Sequence, residues 1–417
     1  MFNPTLMNEV RALFCHVDSC PYQGPRVFFE NAGGSLTLKS VVEVNTRLAA
    51  IPDNQGRDNP ASQELTRIIN QSHDDMRCFL GVESGPVFMG ESGTEVLFRL
   101  VRAAVLGTGA GGNVVGSTLE HPSTASAGKH WAAFADKQYR SVQHDNDSAT
   151  VSAEAYRALV DADTRVATII HTSPVTGMSV DMKAVVAVIR EASPDCIILV
   201  DGIQHAPHGG VDIASFDIDA YAISAYKVFS RHNYGFAWLS PRLSHLPHDH
   251  LDGTPADYWE LGTRDTSAFA CFSEVVNYLD WLGSNFTSSD QRRERLIAAG
   301  SAIKAQERHL VKSMINGVDG QKGLRDMPEV FVIGGHDSEC REGLLSLIVE
   351  GIGSAEVVAE LNARGVRTHM RKNDYFSGNV LEPLNRPDCV RVSMCHYNTA
   401  PEVQKFLRIL ESIIDAN

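Results

Sequence analysis

Short apolar runs alternate with amphipathic stretches through the middle of the chain. Asn113–Ser117, Val166–His171, Cys196–Val200, Ala220–Ser224 and Gly235–Leu239 are each five or six residues long, apolar, and flanked by polar or Gly positions. Runs of this kind predict buried strands. Between them, Ser152–Val160 and Met182–Glu191 place apolar residues at helical spacing. The segment Glu91–Leu106 opens with Glu-Ser-Gly-Thr and continues as an apolar-periodic helix. This alternation predicts a largely parallel sheet covered on both faces.

The pattern changes after about residue 265. Phe272–Leu282 and Gln291–Met314 read as long helices, Glu329–Ile333, Leu344–Glu350 and Val390–Met394 as strands, and Ser354–Arg364 as a further helix. A last helix carries Val403, Phe406, Leu407, Leu410, Ile413 and Ile414 at offsets of three and four, one buried stripe. Asn398 or Thr399, ahead of Pro401, is its start signal. The expected α/β organisation is an N-terminal segment, 1–30, belonging to a small domain, a large domain over 31–280, and the small α+β domain over 281–417. No repeat or low-complexity segment interrupts it.

Composition narrows the class. The 417 residues are 43% hydrophobic and 21% charged, which fits a packed globular protein. The net charge is −14 and there is no basic run, so nucleic acid and anionic membranes are excluded as expected partners. No apolar stretch approaches the roughly 20 residues that cross a bilayer. The N-terminus shows no secretory signal pattern. Eight cysteines are scattered without a CxxC pair, which points to reduced thiols and a cytoplasmic setting. His245, His248, Asp249 and His250 lie in a Pro-containing loop without helix or strand spacing, so they are read as solvated surface and no metal site is expected.

The chemistry concentrates between Asp201 and Lys227. Asp201 follows one predicted strand, Gln204 is three residues on, and Lys227 follows the strand that ends at Ser224. In open α/β sheets, ligands bind at such strand ends. A lysine can form a Schiff base, a carboxylate can keep a pyridinium nitrogen protonated, and an amide can hydrogen-bond a phenolic oxygen; pyridoxal 5'-phosphate needs all three. Ser92-Gly93-Thr94 opens a helix whose N–H groups and dipole favour a phosphate. His121, just after Asn113–Ser117, is placed to cap the ring.

At these positions the chain resembles the cysteine desulfurase-like branch of the class V aminotransferases, which are fold-type I pyridoxal-phosphate enzymes. Phe29-Glu30-Asn31-Ala32 resembles the family's "LDNAA", Ser92-Gly93-Thr94-Glu95 its "GTTE", and Glu120-His121 its "EHH". Asp201-Gly202-Ile203-Gln204-His205, with His208 beyond, is similar to "DGAQ…PH". Ser224-Ala225-Tyr226-Lys227 is similar to "SGHK", Glu260-Leu261-Gly262-Thr263 to "EAGT", and Arg391-Val392-Ser393 with Tyr397-Asn398-Thr399 to "RAS…YNT". These seven segments keep the family's order over about 370 residues.

The resemblance implies a mostly parallel seven-stranded sheet in the large domain and roles by position. Lys227 would hold the cofactor as a Schiff base, Asp201 would pair with the pyridine nitrogen, Gln204 would contact the ring oxygen and His121 would stack on the ring. Gly93, Thr94, Ser224 and Tyr226 would surround the phosphate. Thr263 would reach the phosphate of a partner subunit in a homodimer with composite active sites. Arg391 would bind the substrate α-carboxylate, and Asn31 and Ala32 would line the substrate entrance.

Three departures shape the functional expectation. Tyr226 stands where the family usually has His, and Ser173-Pro174-Val175-Thr176-Gly177 lacks the Asn of "SNVxG". The loop "VRTGHHC" reads here Val366-Arg367-Thr368-His369-Met370-Arg371-Lys372-Asn373-Asp374-Tyr375, with no cysteine. A desulfurase needs that thiolate to carry a persulfide. The expected activity is therefore on a small-molecule α-amino acid without a persulfide, as elimination or desulfination at Cβ. Arg371 and Lys372 are expected to hold a second acidic group. An aminotransferase or an epimerase is the alternative, and a degenerate non-catalytic binding protein is the alternative of a different class.

Overall fold

Ten residues separate the strands Ala220–Ser224 and Gly235–Leu239. That is too short for a helical crossover, so the two pair antiparallel, with Gly235 opposite Ser224. Val87–Gly90 pairs antiparallel with Gly235–Leu239 in turn, bringing Gly90 beside Gly235. The computed structural model, which describes residues 2–416, builds from this corner a seven-stranded sheet. Edge to edge its strands are Val87–Gly90, Gly235–Leu239, Ala220–Ser224, Ile197–Asp201, Thr164–Ile170, Asn113–Ser117 and Gln138–Val142. Every pair beyond the corner is parallel, so Ser117, Val142, Ile170, Asp201 and Ser224 end at one edge of the sheet.

Both faces of the sheet are buried, as the apolar runs require. Ile198 and Val200 enter one core with Phe272 and Val275, while Ile197 and Leu199 enter another with Val96 and Leu100. The helices that cover it start at side-chain caps. Ser92 Oγ accepts the N–H of Glu95 at 3.1 Å and starts Gly93–Gly107. His121 Nδ1 accepts the N–H of Ser123 at 3.2 Å and starts Pro122–Phe134. Asp181 does the same for Met182–Ala192 through the N–H of Ala184.

A four-stranded antiparallel sheet, in the order Val330–Val332, Leu344–Val349, Asp388–Ser393 and His369–Lys372, forms a second unit with its own core. The last helix, Ala400–Ile414, begins after Thr399, whose N–H is accepted by Glu402 Oε2 at 2.8 Å. Its stripe of Val403, Phe406, Leu407 and Leu410 closes that core. The helix Arg292–Asn316 enters both cores, with Leu296 and Ile303 in the large one and Leu310 and Met314 in the small one. The N-terminal segment is also divided: Leu6, Val10 and Phe14 pack in the large core, whereas Val27 and Phe29 pack in the small one.

The sequence reading missed Val87–Gly90, Gln138–Val142 and His369–Lys372. The first has four residues, the second is an edge strand with exposed Gln138, and the third reads as polar loop. Among the described residues no helix is long and apolar enough to cross a membrane. All eight cysteines are free of disulfides.

Candidate active site

At the edge where the parallel strands end, a cavity of about 360 Å³ is lined by Thr94, His121, Asp201, Gln204, Ser224, Tyr226 and Lys227 among others. All seven were singled out from the sequence. Their convergence follows from the fold, since Asp201 ends one strand and Lys227 closes a 3-10 turn directly after the next.

Lys227 is 7% exposed and its Nζ donates to Gln204 Oε1 at 3.3 Å. Burial, with the charges of Arg391 and Arg371 adding to it, pushes its amine down to about 7, and Asp201 opposes only in part. Asp201 accepts from the N–H of Ile203 at 3.1 Å and from the Thr124 hydroxyl at 3.4 Å. Burial still holds its carboxyl above the ordinary range. A second buried carboxyl, Glu120, is driven up to about 8 by its burial and then by the charge of Asp201. Near neutral pH Glu120 thus keeps its proton and adds no second negative charge beside Asp201. His121 is pushed down to about 3, by burial first and then by Lys227 and Arg371, so its ring is neutral. Capping the helix through Nδ1 fixes the plane of that ring.

The anion cradle lies at the corner of the sheet. Gly93 N–H donates to Ser224 Oγ at 3.1 Å. A Cβ at Gly93 would stand 2.3 Å from that oxygen, and one at Gly235 would stand 2.8 Å from Gly93 N. Only glycines let the helix N-terminus approach the strand ends this closely.

Arg391 is 3% exposed. Its Nη1 donates to the Pro174 carbonyl at 3.0 Å, and its Nε has no partner. Glu30, the acid that acts on it, is paired with Arg367 and His369. Burial pushes the guanidinium down to about 10. A buried cation with an unused donor calls for an anion.

Arg371 extends from the strand His369–Lys372, with Nε on Ser377 Oγ at 2.7 Å and Nη2 on the Phe376 carbonyl at 3.1 Å. Its charge acts on Lys227, His121 and Arg391. Lys372, the next residue of that strand, is exposed, so the expected cation pair reduces to Arg371.

Asn31 and Ala32 are not walls of the cavity. The Asn31 amide donates to the Ser393 carbonyl at 2.8 Å and accepts from Tyr397 at 2.5 Å, and the Ala32 N–H donates to Ser393 Oγ at 2.8 Å. They tie the N-terminal segment to the small domain. The segment passes the site through its glycines instead: a Cβ at Gly33 would lie 3.5 Å from Arg391 Nη2, and one at Gly34 would lie 3.1 Å from the Tyr226 ring. Thr263 is exposed and does not line the cavity. Tyr226, which replaces the usual His, stacks on His232 at 4.4 Å.

The sequence reading passed over Ser123, Thr124, Ile170, Pro174 and Ile203. Thr124 lies one turn beyond His121 on the same helix, which was a usable signal. Pro174 stands at the missing Asn of the "SNVxG" segment, which was a signal for the position, but its carbonyl contact with an arginine 217 residues away left no trace in the chain. No cysteine lines the cavity. Cys389, opposite Arg371 in the sheet, is buried, which pushes its thiol up to about 11.

These residues fit pyridoxal 5'-phosphate. The amine is about half unprotonated near neutrality, a buried carboxyl acts on it, a glycine cradle lies at a helix N-terminus, and a buried guanidinium with an unused Nε–H lies near the lysine. The comparisons agree. The profile of the aminotransferase class-V family matches residues 27–299. The chain is 26% identical over 412 residues to the aminotransferase-like protein FGM3 of Gibberella zeae, covering 93% of this chain and 95% of that one. It is 27% identical over 409 residues to the nonribosomal peptide synthetase-like enzyme fsqF of Aspergillus fumigatus, spanning 93% of this chain but 26% of that protein's length. Its fold is that of the cysteine desulfurase CsdA of Escherichia coli, with TM-score 0.80, 18% identity, and 100% and 99% of the two chains covered.

The depressed lysine sets a pH dependence. Unfolded, Lys227 titrates near 10.4; folded, near 7, so between these values the unfolded chain holds more protons. Stability of the cofactor-free protein should therefore gain up to about 1.4 kcal/mol per pH unit from this group as pH rises through that window. Lys227→Met removes the gain. Denaturant titrations of both proteins across the window check it, and equal slopes would place Lys227 in solvent.

Proposed function

The chain belongs to the class-V aminotransferase family, whose enzymes depend on pyridoxal 5'-phosphate, and on that premise we propose a homodimeric, cytoplasmic lyase acting at Cβ of an α-amino acid that bears a second acidic group. One observation supports this reading: no cysteine lines the cavity, and on the strand that stands for the desulfurase loop Arg371 lies near enough for its charge to act on Lys227, His121 and Arg391. The cofactor, when bound, withdraws electrons from bonds at the substrate's Cα. The chain's own residues do the rest. Asp201 holds a proton on the ring nitrogen, and Gly93, Thr94 and Ser224 hold the phosphate. Lys227 carries the cofactor and moves the Cα proton, a task that suits an amine near 7. Arg391 takes the α-carboxylate and Arg371 the side-chain anion. Two clamps fix the Cα–Cβ axis and so select the bond that breaks.

With a sulfinate, the Cβ–S bond breaks and its electron pair stays with the carbon. Sulfur dioxide departs and water converts it to sulfite, while Cβ gains a proton to give alanine. A side-chain carboxylate leaves likewise, as carbon dioxide with the pair on Cβ, again giving alanine; a leaving group that departs with the pair instead leaves an enamine, which water hydrolyses to pyruvate and ammonia. Intact Lys227, Asp201 and phosphate cradle set the non-catalytic alternative aside. A keto acid formed by amine transfer, or an inverted Cα, would instead identify an aminotransferase or epimerase.

Asp201→Asn should retain the cofactor yet lose about 5 kcal/mol of barrier lowering, between three and four orders of magnitude in kcat. Near-normal turnover would remove Asp201 from the ring nitrogen. In a panel of amino acids, Arg371→Ala should raise KM at least about tenfold for diacidic substrates and leave alanine-type substrates unchanged. No persulfide should be trapped on the enzyme. An unaltered preference would overturn the clamp, and a trapped persulfide would overturn the chemistry. Exposed Thr263 is proposed to complete the partner's phosphate site. Sedimentation should therefore find a dimer, and a fully active monomer would contradict it.

A further inference from the structure

Behind the cavity a hydrogen-bonded chain leaves the lysine and crosses into the other domain. Lys227 Nζ donates to Gln204 Oε1 at 3.3 Å, and Gln204 Nε2 meets His208 Nε2 at 3.0 Å. His208 Nδ1 meets Glu307 Oε2 at 2.8 Å. Gln204, His208 and Glu307 are 3%, 2% and 2% exposed. Glu307 stands on the helix Arg292–Asn316, and its Oε1 has no partner.

The two faces of a primary amide are chemically opposite. In the arrangement observed, Glu307 draws the His208 proton to Nδ1, leaving a lone pair on Nε2. That lone pair accepts the Gln204 NH₂, so the Gln204 oxygen points at Lys227. This suits a free lysine, which is a donor. It does not suit the cofactor's ring oxygen, which is an acceptor and needs the NH₂.

We propose that His208 and Glu307 form a proton-linked positioning pair that selects which face of the Gln204 amide enters the site. With His208 neutral the amide presents its oxygen to free Lys227. With His208 doubly protonated, Nε2–H donates to Gln204 Oε1 and the NH₂ turns toward the ring oxygen. Loading the cofactor thus takes up one proton from solvent at His208, in addition to the water and amine proton that Lys227 gives up as it bonds to the cofactor. The pair is suited to trading a proton: Glu307 holds the imidazole above its usual range although burial opposes, while burial holds the Glu307 carboxyl above its own. The other titratable groups around the pair are Glu342, Lys227, His396, Cys395 and Tyr397. Of these acids only Glu307 hydrogen-bonds the His208 ring.

The inference rests on the cavity's holding pyridoxal 5'-phosphate, and the test separates the two. The visible absorbance of the lysine-bound cofactor is titrated with pH in the parent, Glu307→Gln, Glu307→Asp and Gln204→Met proteins. Removing the donor to the ring oxygen should raise the midpoint by about one pH unit in both Glu307→Gln and Gln204→Met, while Glu307→Asp stays near the parent. Calorimetry of cofactor binding in buffers of different ionisation enthalpy should show about one more proton taken up by the parent than by Glu307→Gln. Nitrogen NMR of histidine-labelled, unsubstituted protein should show His208 singly protonated before loading and doubly after, and needs no variant to fold. An unshifted midpoint in Glu307→Gln, or a His208 whose protonation ignores loading, overturns the pair while leaving the cofactor site intact. A parent protein that forms no visible band overturns both.

Discussion

Lys227 and Arg391 are buried at one site whose cavity walls include a single carboxylate, Asp201. Taking an ammonium and a guanidinium out of water costs several kcal/mol each unless anions replace the lost hydration. The protein supplies less negative charge than the two cations require. The lysine answers by falling to about 7, and the arginine keeps an unpartnered Nε. His121 stays neutral in the same positive field, and Glu120 keeps its proton beside Asp201. A site short of anions is prepared for an anionic cofactor and an anionic substrate.

The scaffold bears that cost through placement. Parallel strands deliver Asp201 and Ser224 to one edge, and the antiparallel corner through Gly235 brings the start of Gly93–Gly107 against them. The small domain contributes from the other side, with Arg391 and Arg371 on its neighbouring strands Asp388–Ser393 and His369–Lys372. The helix Arg292–Asn316 is buried in both cores and sets Glu307 against His208. The two domains therefore meet in the chain of hydrogen bonds that leads to the lysine.

The central strands were legible because burial on both faces demands unbroken Val, Ile and aromatic runs. Asn113–Ser117, Ala220–Ser224 and Gly235–Leu239 fall where those runs predict them. Gln138–Val142 lies at the edge of the sheet, where one flank need not be apolar, and its sequence carries no such run. In the site, Asp201, Gln204 and Lys227 could be read together because 27 residues of one strand-to-strand unit hold them, a spacing visible in the chain itself.

Other parts were decided by distant contacts. Asn31 belongs to a motif that suggested the substrate entrance, but Ser393, Tyr397 and Asn398 consume its amide. Arg371 and Lys372 look equivalent in sequence, yet strand alternation sends only the first inward. The partner of His208 lies 99 residues away, and that of Arg391 217 residues away. The sequence by itself determined which residue types stand at each strand end and helix start, because local spacing governs burial and capping. The tertiary structure alone decided which of them lose their water and whose charges they then face, because burial depends on segments that meet only when the two domains close on each other.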